Sequence, residues 1–155
     1  MSQQRVLMAI LVLNGSIATT LRKTLEKDCT RLYQNHFGKH YKLFPIWVEV
    51  PRSQAFLAAR PSNATTISIG VENDLPNDIR HAFMSEFSEL WMNYTGCNKN
   101  EIMLTAMDFQ AQQDLLKLTQ TRIRPSRRPL VTLQMLGRLA KSKIITRHFS
   151  TSINF

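Results

Sequence analysis

Four histidines, two cysteines, 11 carboxylates and 20 cationic side chains are the reactive groups of this 155-residue sequence. Their spacing excludes most chemistry. His36 and His40 flank Gly38, giving two ligands where a metal site needs more. His81 and His148 stand without a spaced partner, and Cys29 and Cys97 lack the second thiol or histidine that a metal or redox pair requires. Both thiols read as buried or half-buried groups of a reducing compartment. There is no nucleophile elbow, no phosphate-binding glycine loop and no Cys-x-x-Cys, so neither a metal nor a cofactor is expected. Glu49 lies between Val48 and Val50 and alternates onto one face of a strand, where an exposed carboxylate is favoured over a general base. What remains is cationic, with Arg5, Arg52 and Arg60 scattered through a chain otherwise poor in proton-transfer pairs.

The elements that must position these groups form two similar units. Val6 to Leu13 is an unbroken apolar run, and Ile17, Leu21, Leu25, Cys29 and Leu32 trace the stripe of a helix. Phe44 to Val50 follows as a second strand. Ser16 is the expected cap of that helix, and Phe37-Gly38 marks its end. From Thr65 to Met107 the order repeats. A run rich in β-branched residues (Thr65 to Val71) leads to a helix with Ile79, Phe83, Phe87, Leu90, Trp91 and Tyr94 on one face. The run Ile102 to Met107 closes the unit. Asp74 is the expected cap here, Pro76 suits the first turn, and Gly96 supplies the left-handed residue that ends the helix. A strand-helix-strand unit joins parallel strands and lays its helix on one face of the sheet. The sequence therefore predicts an α+β domain of two β-α-β units, at 5–52 and 64–110, followed by an extension over 111–155. Pattern alone leaves open a ferredoxin-like pairing of the same element order.

Charge is unevenly placed. Residues 1–114 hold all 11 acids and 11 of the 20 Lys and Arg residues, so the net charge of +9 belongs to the last 41 residues, which contain no acid. That segment also carries a helical apolar face of Leu130, Leu133, Leu136, Leu139 and Ala140. Packing on its own domain or oligomer is the favoured reading. Nucleic acid comes second, because Phe149 and Phe155 are the segment's only rings, and an anionic membrane surface third. No stretch approaches the ~20 apolar residues of a membrane span. Val6 to Leu13 behind Arg5 has the length of a secretory signal core, but its single flanking charge and its role as a first strand argue against that. The chain reads as soluble and cytoplasmic.

The segments VEVPRSQAFLAARPSNATTISIGV, joining the units, and FSELWMNYTGCNKNEIMLTAMDF, closing the second, resemble the tautomerase superfamily. The resemblance covers roughly residues 5–110. Its nearest type is the double-unit branch that includes cis-3-chloroacrylic acid dehalogenase and malonate semialdehyde decarboxylase. It implies a four-stranded sheet with two helices on one face, and three chains packed as a homotrimer in which the carboxyl-terminal segment bridges neighbours. The resemblance also implies an amino-terminal proline, whose amine, with a reference pKa of ~7.7, serves as general base or acid.

This sequence departs from that chemistry. Residue 2 is Ser, and with Val6 matched to the first strand residue of the family the proline position falls on Arg5 inside the chain. An arginine binds anions and does not take a proton. The arginine pair that such dehalogenases carry after the third strand is replaced by Glu72-Asn73-Asp74-Leu75-Pro76, and their helix histidine has no match near Leu32. No catalytic residue is therefore assigned. By the same resemblance Arg5, Arg52 and Arg60 are candidates to bind a small keto or unsaturated carboxylic acid, provided the start of the first strand meets the linker between strands two and three.

Overall fold

A computed structural model describes residues 3–57 and 59–152; Ser2 and Phe155 lie outside the described residues. The first unit consists of strand β1 (Gln4–Leu13), helix α1 (Thr19–Phe37) and strand β2 (Tyr41–Val50). The second consists of β5 (Thr65–Val71), α2 (Asn77–Thr95) and β6 (Ile102–Asp108). Between them a short hairpin pairs β3 (Phe56–Leu57) with β4 (Arg60–Pro61). After them come α3 (Phe109–Thr121), α4 (Arg128–Thr146) and β7 (Ser150–Ser152).

The main sheet has the order β6-β5-β1-β2-β7. Within each unit the strands pair directly and in parallel, β1 with β2 and β5 with β6, while the two units meet antiparallel through β1 and β5. In a ferredoxin-like sheet the strands of each unit are split by one from the other. That alternative is excluded. The expected sheet of four strands has a fifth, because Trp47 to Glu49 on the edge of β2 pair in parallel with β7 from the carboxyl-terminal segment.

Alternation along β1 sends Val6, Met8, Ile10 and Val12 into the core beneath α1 and α2, and Ile67, Ile69 and Val71 of β5 do the same. The helices contribute Leu25, Cys29 and Tyr33 from α1 and Phe83, Phe87 and Trp91 from α2. Trp47 of β2 stacks on Trp91 at 6.1 Å between ring centroids. Tyr33 reaches across the layer and donates its hydroxyl to the Gly70 carbonyl at 2.9 Å.

The opposite sheet face is only partly covered. Leu7, Ala9 and Leu11 on β1, beside Phe44, Ile46 and Val48 on β2, are half-buried. Helix α3 crosses this face only near Gly70. A Cβ at Gly70 would lie 2.7 Å from Gln112 Oε1 and 2.9 Å from Phe109, so glycine is what lets α3 approach. Of the apolar stripe anticipated on α4, Leu139 is buried, while Leu130, Leu133 and Leu136 are exposed within the chain.

Two caps differ from expectation. Ser16 does not cap α1; its hydroxyl donates to the Leu13 carbonyl at 2.8 Å and so closes the turn after β1, leaving Ala18 as the cap residue. Asp74 does not cap α2, because it sits two residues too early, in a turn at φ 56°, and Pro76 precedes the first helical residue. Gly38 and Gly96 end the two helices as expected, Gly96 at φ 69°.

Candidate functional site

The start of β1 opens onto a groove of about 980 Å³ along the part of β2 that β7 leaves unpaired. Pro45 lies on this free edge, where its missing N–H interrupts no ladder. Four elements bring cations to the groove. Arg5 comes from β1, Lys42 from the adjacent position of β2, Lys23, Lys27 and Arg31 from α1, and Lys143 from α4. The three on α1 are spaced i, i+4 and i+8, which stacks them on one helix face despite their mutual repulsion.

Two rings line the groove beside them. Phe44 and Phe149 lie 4.8 Å apart, with the Arg5 guanidinium 5.9 Å from the centroid of Phe44 and Lys143 Nζ 4.7 Å from that of Phe149. Among the described residues one carboxylate, Glu26, lines the groove, and it is already engaged. Its Oε1 accepts from Trp47 Nε1 at 2.8 Å and contacts His148 Nδ1 at 2.9 Å. Arg31 is paired with Asp28 at 2.9 Å. Among the described residues, Arg5, Lys23, Lys27, Lys42 and Lys143 have no carboxylate within 4 Å.

His148 differs from its sequence reading as a residue without a partner. It is buried, and besides Glu26 it meets the Thr19 carbonyl through Nε2 at 3.0 Å, so that nitrogen is the donor. These contacts tie the carboxyl-terminal segment to α1 and hold Lys143 and Phe149 at the groove. Sequence separation hid them, since His148 and Glu26 are 122 residues apart. Glu49 likewise is not the exposed strand residue expected. It lies on the helix-facing side of β2, opposite Val12, and pairs with the buried Arg22 of α1 at 2.5 Å.

Arg52 and Arg60 are exposed and lie elsewhere. Parallel pairing sets Arg5 opposite Lys42 and Leu13 opposite Val50, so Arg52, just after β2, sits beyond the far end of the sheet from Arg5. Arg60 belongs to the hairpin that leads into β5, whose Thr66 pairs with Leu11 at that same far end. Within one chain the structure does not bring Arg5 together with Arg52 or Arg60. The far end holds an apolar hollow of about 440 Å³ lined by Leu11, Leu13, Ala55, Phe56 and Met103.

The other titratable groups near the start of β1 serve the fold. Tyr41 donates to Glu72 at 2.8 Å, and burial first and that hydrogen bond second push its phenol up to about 12. Burial also raises the Cys29 thiol and the Tyr33 phenol. His36 pairs with Glu86 at 3.1 Å. Among the described residues no His, Cys, Asp and Glu side chains gather in a set able to hold a metal ion.

No protein-family model matches the sequence, and none of the curated proteins matches it. Solved structures do match. The crystal structure of native Ps01740 superposes with a TM-score of 0.63 at 18% identity, covering 66% of this chain and 93% of that one. N1, a member of the cis-3-chloroacrylic acid dehalogenase family, gives 0.62 at 12% identity over 66% of this chain and 74% of its own. An asymmetric trimer of a wild-type fused 4-OT gives 0.60 at 12% identity, over 66% and 85%. Such identities establish the fold and nothing of the activity. The fold is that of the tautomerase superfamily.

Proposed function

We propose that this chain uses the tautomerase fold to bind a small anion at the start of β1, as a homotrimer, without the proline-dependent proton transfer of that superfamily. The observation that carries the reading is Arg5. Counted with Val6 as the first strand residue, the resemblance places the catalytic amine at Arg5, which here lies inside β1, and the chain continues before it, with the Gln4 N–H bonded to the His40 carbonyl at 2.8 Å. An amide nitrogen there takes no proton, whereas a guanidinium holds a carboxylate. Arg5 is therefore the primary ligand for a small keto or unsaturated carboxylic acid. Arg52 and Arg60 join it only if a neighbouring copy supplies them, since their own chain carries them to the opposite end of the sheet.

Homotrimer assembly is supported by the half-buried apolar sheet face and by the trimeric structures of fused 4-OT proteins that share the fold. Two free thiols, one fully buried, suit a reducing compartment such as the cytoplasm. No helix among the described residues is long and apolar enough to cross a membrane.

The test joins crystals soaked with α-keto and unsaturated carboxylates to a turnover assay on phenylenolpyruvate-type enols. A carboxylate seated on Arg5, with no turnover above that of the Arg5→Ala variant, is the expected result. Turnover that disappears in Arg5→Ala would instead make the chain an enzyme with a rebuilt site. An Arg5 that binds none of these acids would remove the reading.

A further inference from the structure

We propose that the groove as a whole also takes a compact polyphosphate, a small molecule with three or more phosphate groups, one of which sits where Arg5 alone would hold a carboxylate. This rests on the reading of Arg5 as an anion ligand and extends it to the whole groove. A lone carboxylate on Arg5 would leave Lys23, Lys27, Lys42 and Lys143, which line the same groove, without a counter-charge, because Glu26, the one acid described there, is bound by Trp47 and His148. Repulsion among unpaired cations raises the energy of the empty site, and each phosphate that enters relieves part of it. At about 980 Å³ the groove also greatly exceeds a three-carbon acid.

The arrangement favours a compact ligand over a nucleic-acid strand. The cations converge from β1, β2, α1 and α4 around one groove instead of following a line across the surface. Phe44 and Phe149 lie against each other, with a cation near each ring, so neither offers the open face on which successive bases stack. Lys42 and Lys143, on flexible stems, have the reach to close on phosphates of differing geometry. The carboxyl-terminal segment then has a definite task. By docking His148 between Glu26 and Thr19 it carries Lys143 and Phe149 into the wall of the groove.

Calorimetric titration of the full-length protein at fixed salt, with inorganic tripolyphosphate, orthophosphate, pyruvate and a 20-nucleotide single-stranded RNA as probes, tests this. Tripolyphosphate should bind at least about 10-fold more tightly than orthophosphate or pyruvate, because several charge-assisted hydrogen bonds replace one. The double variant Lys23→Ala/Lys27→Ala, at solvent-facing positions of α1, should weaken tripolyphosphate about 10-fold. A control variant outside the groove, Arg122→Ala/Arg124→Ala, should leave it within about two-fold.

Equal affinity for pyruvate and tripolyphosphate would overturn the polyphosphate assignment while preserving the Arg5 carboxylate site. Equal loss in both double variants would show diffuse attraction to the basic surface, and would also overturn it. RNA binding that tripolyphosphate does not displace would assign the cations to nucleic acid instead. Binding of none of the four probes would defeat both this inference and the reading beneath it.

Discussion

The guanidinium of Arg22 meets three groups at once. It pairs with Glu49 at 2.5 Å, donates through Nε to the Ile17 carbonyl at 3.2 Å, and lies 4.9 Å from the Trp47 ring centroid. Its side chain is 5% exposed and that of Glu49 25%, so neither charge is well served by water if the other is removed. Breaking a buried pair from one side strands the partner, and that penalty exceeds the net worth of the intact pair. Arg22→Ala should therefore destabilise the fold by about 3 kcal/mol, the low end of the range because Glu49 keeps some solvent. Glu49→Gln keeps an acceptor for Arg22 and should cost less. Urea unfolding of the two variants checks the order. An Arg22→Ala loss of a few tenths of a kcal/mol, as for a surface ion pair, would mean that the pair is screened after all. Neither residue announces this role in sequence. Arg22 is one of four cations on α1, and Glu49 alternates as an exposed strand residue would. Only the direct β1-β2 pairing reveals that its face is the one under α1.

At the scale of elements, two charged contacts fasten late segments onto early ones. Arg80 of α2 donates to the Ala106 carbonyl and to Asp108 Oδ1, each at 2.6 Å, and so holds the end of β6. The Arg80 hydrogen bond holds the Asp108 carboxyl below its ordinary value of 3.8. The folded chain thus takes up this proton less readily than the unfolded chain. The stabilisation is complete above about pH 5 and is lost as the pH falls through 3.8 toward the folded value. The difference in melting temperature between wild type and Asp108→Asn should accordingly shrink between about pH 6 and pH 3; a constant difference would assign Asp108 a role independent of its charge. The second fastening is His148. Its replacement by Ala should release β7, and the sensitive reporter is the Trp47 amide, which donates to the Phe149 carbonyl at 2.8 Å. Hydrogen exchange at Trp47 should accelerate while that of Ile10, on the central strand, stays slow. The six principal elements were legible because apolar alternation and 3.6-residue stripes are local signals that packing here reinforces. β7 was not, since Ser150 to Ser152 carry no apolar pattern and become a strand only by meeting the free edge of β2. The strands of the hairpin, two residues each, are too short to show a period. In the candidate site the sequence reading reached Arg5 but passed over the i, i+4, i+8 spacing of Lys23, Lys27 and Arg31, and Lys143 and Phe149 join the groove through a contact spanning more than a hundred residues.

The whole molecule has one sheet face sealed by α1 and α2 and another left half open, and this asymmetry constrains its assembly. Leu7, Ala9 and Leu11 on the central strand lie beside Ile46 and Val48 on β2, a contiguous apolar surface that α3 shields only near Gly70. Patches of this kind mark interaction sites in soluble proteins, because leaving them in water costs roughly 25 cal/mol for each Å² of apolar area. Ala9 occupies the centre, paired with Ile46 on one side and Ser68 on the other. A glutamate at this position would have its carboxylate in water in a separated chain but buried between chains in the proposed homotrimer, and an unpaired buried charge is among the most costly changes an interface can suffer. Ala9→Glu should therefore dissociate the trimer while each chain stays folded. Light scattering should report three times the 17.9 kDa chain mass for wild type and a single chain mass for the variant, with unchanged far-ultraviolet circular dichroism. A wild type that already runs as one chain would refute the homotrimer, and a trimer that survives Ala9→Glu would place its interface elsewhere. The exposed Leu130, Leu133 and Leu136 of α4 would then be the surface to examine, although the last 41 residues, to which α4 belongs, bring nine cations and no acid to any meeting of like copies. The open face of the central sheet is apolar around Ala9 and carries its two cations, Arg5 and Lys42, only at the starts of β1 and β2, a smaller electrostatic obstacle than the nine of the carboxyl-terminal segment, which is why the proposed trimer is assigned to it rather than to the basic helices.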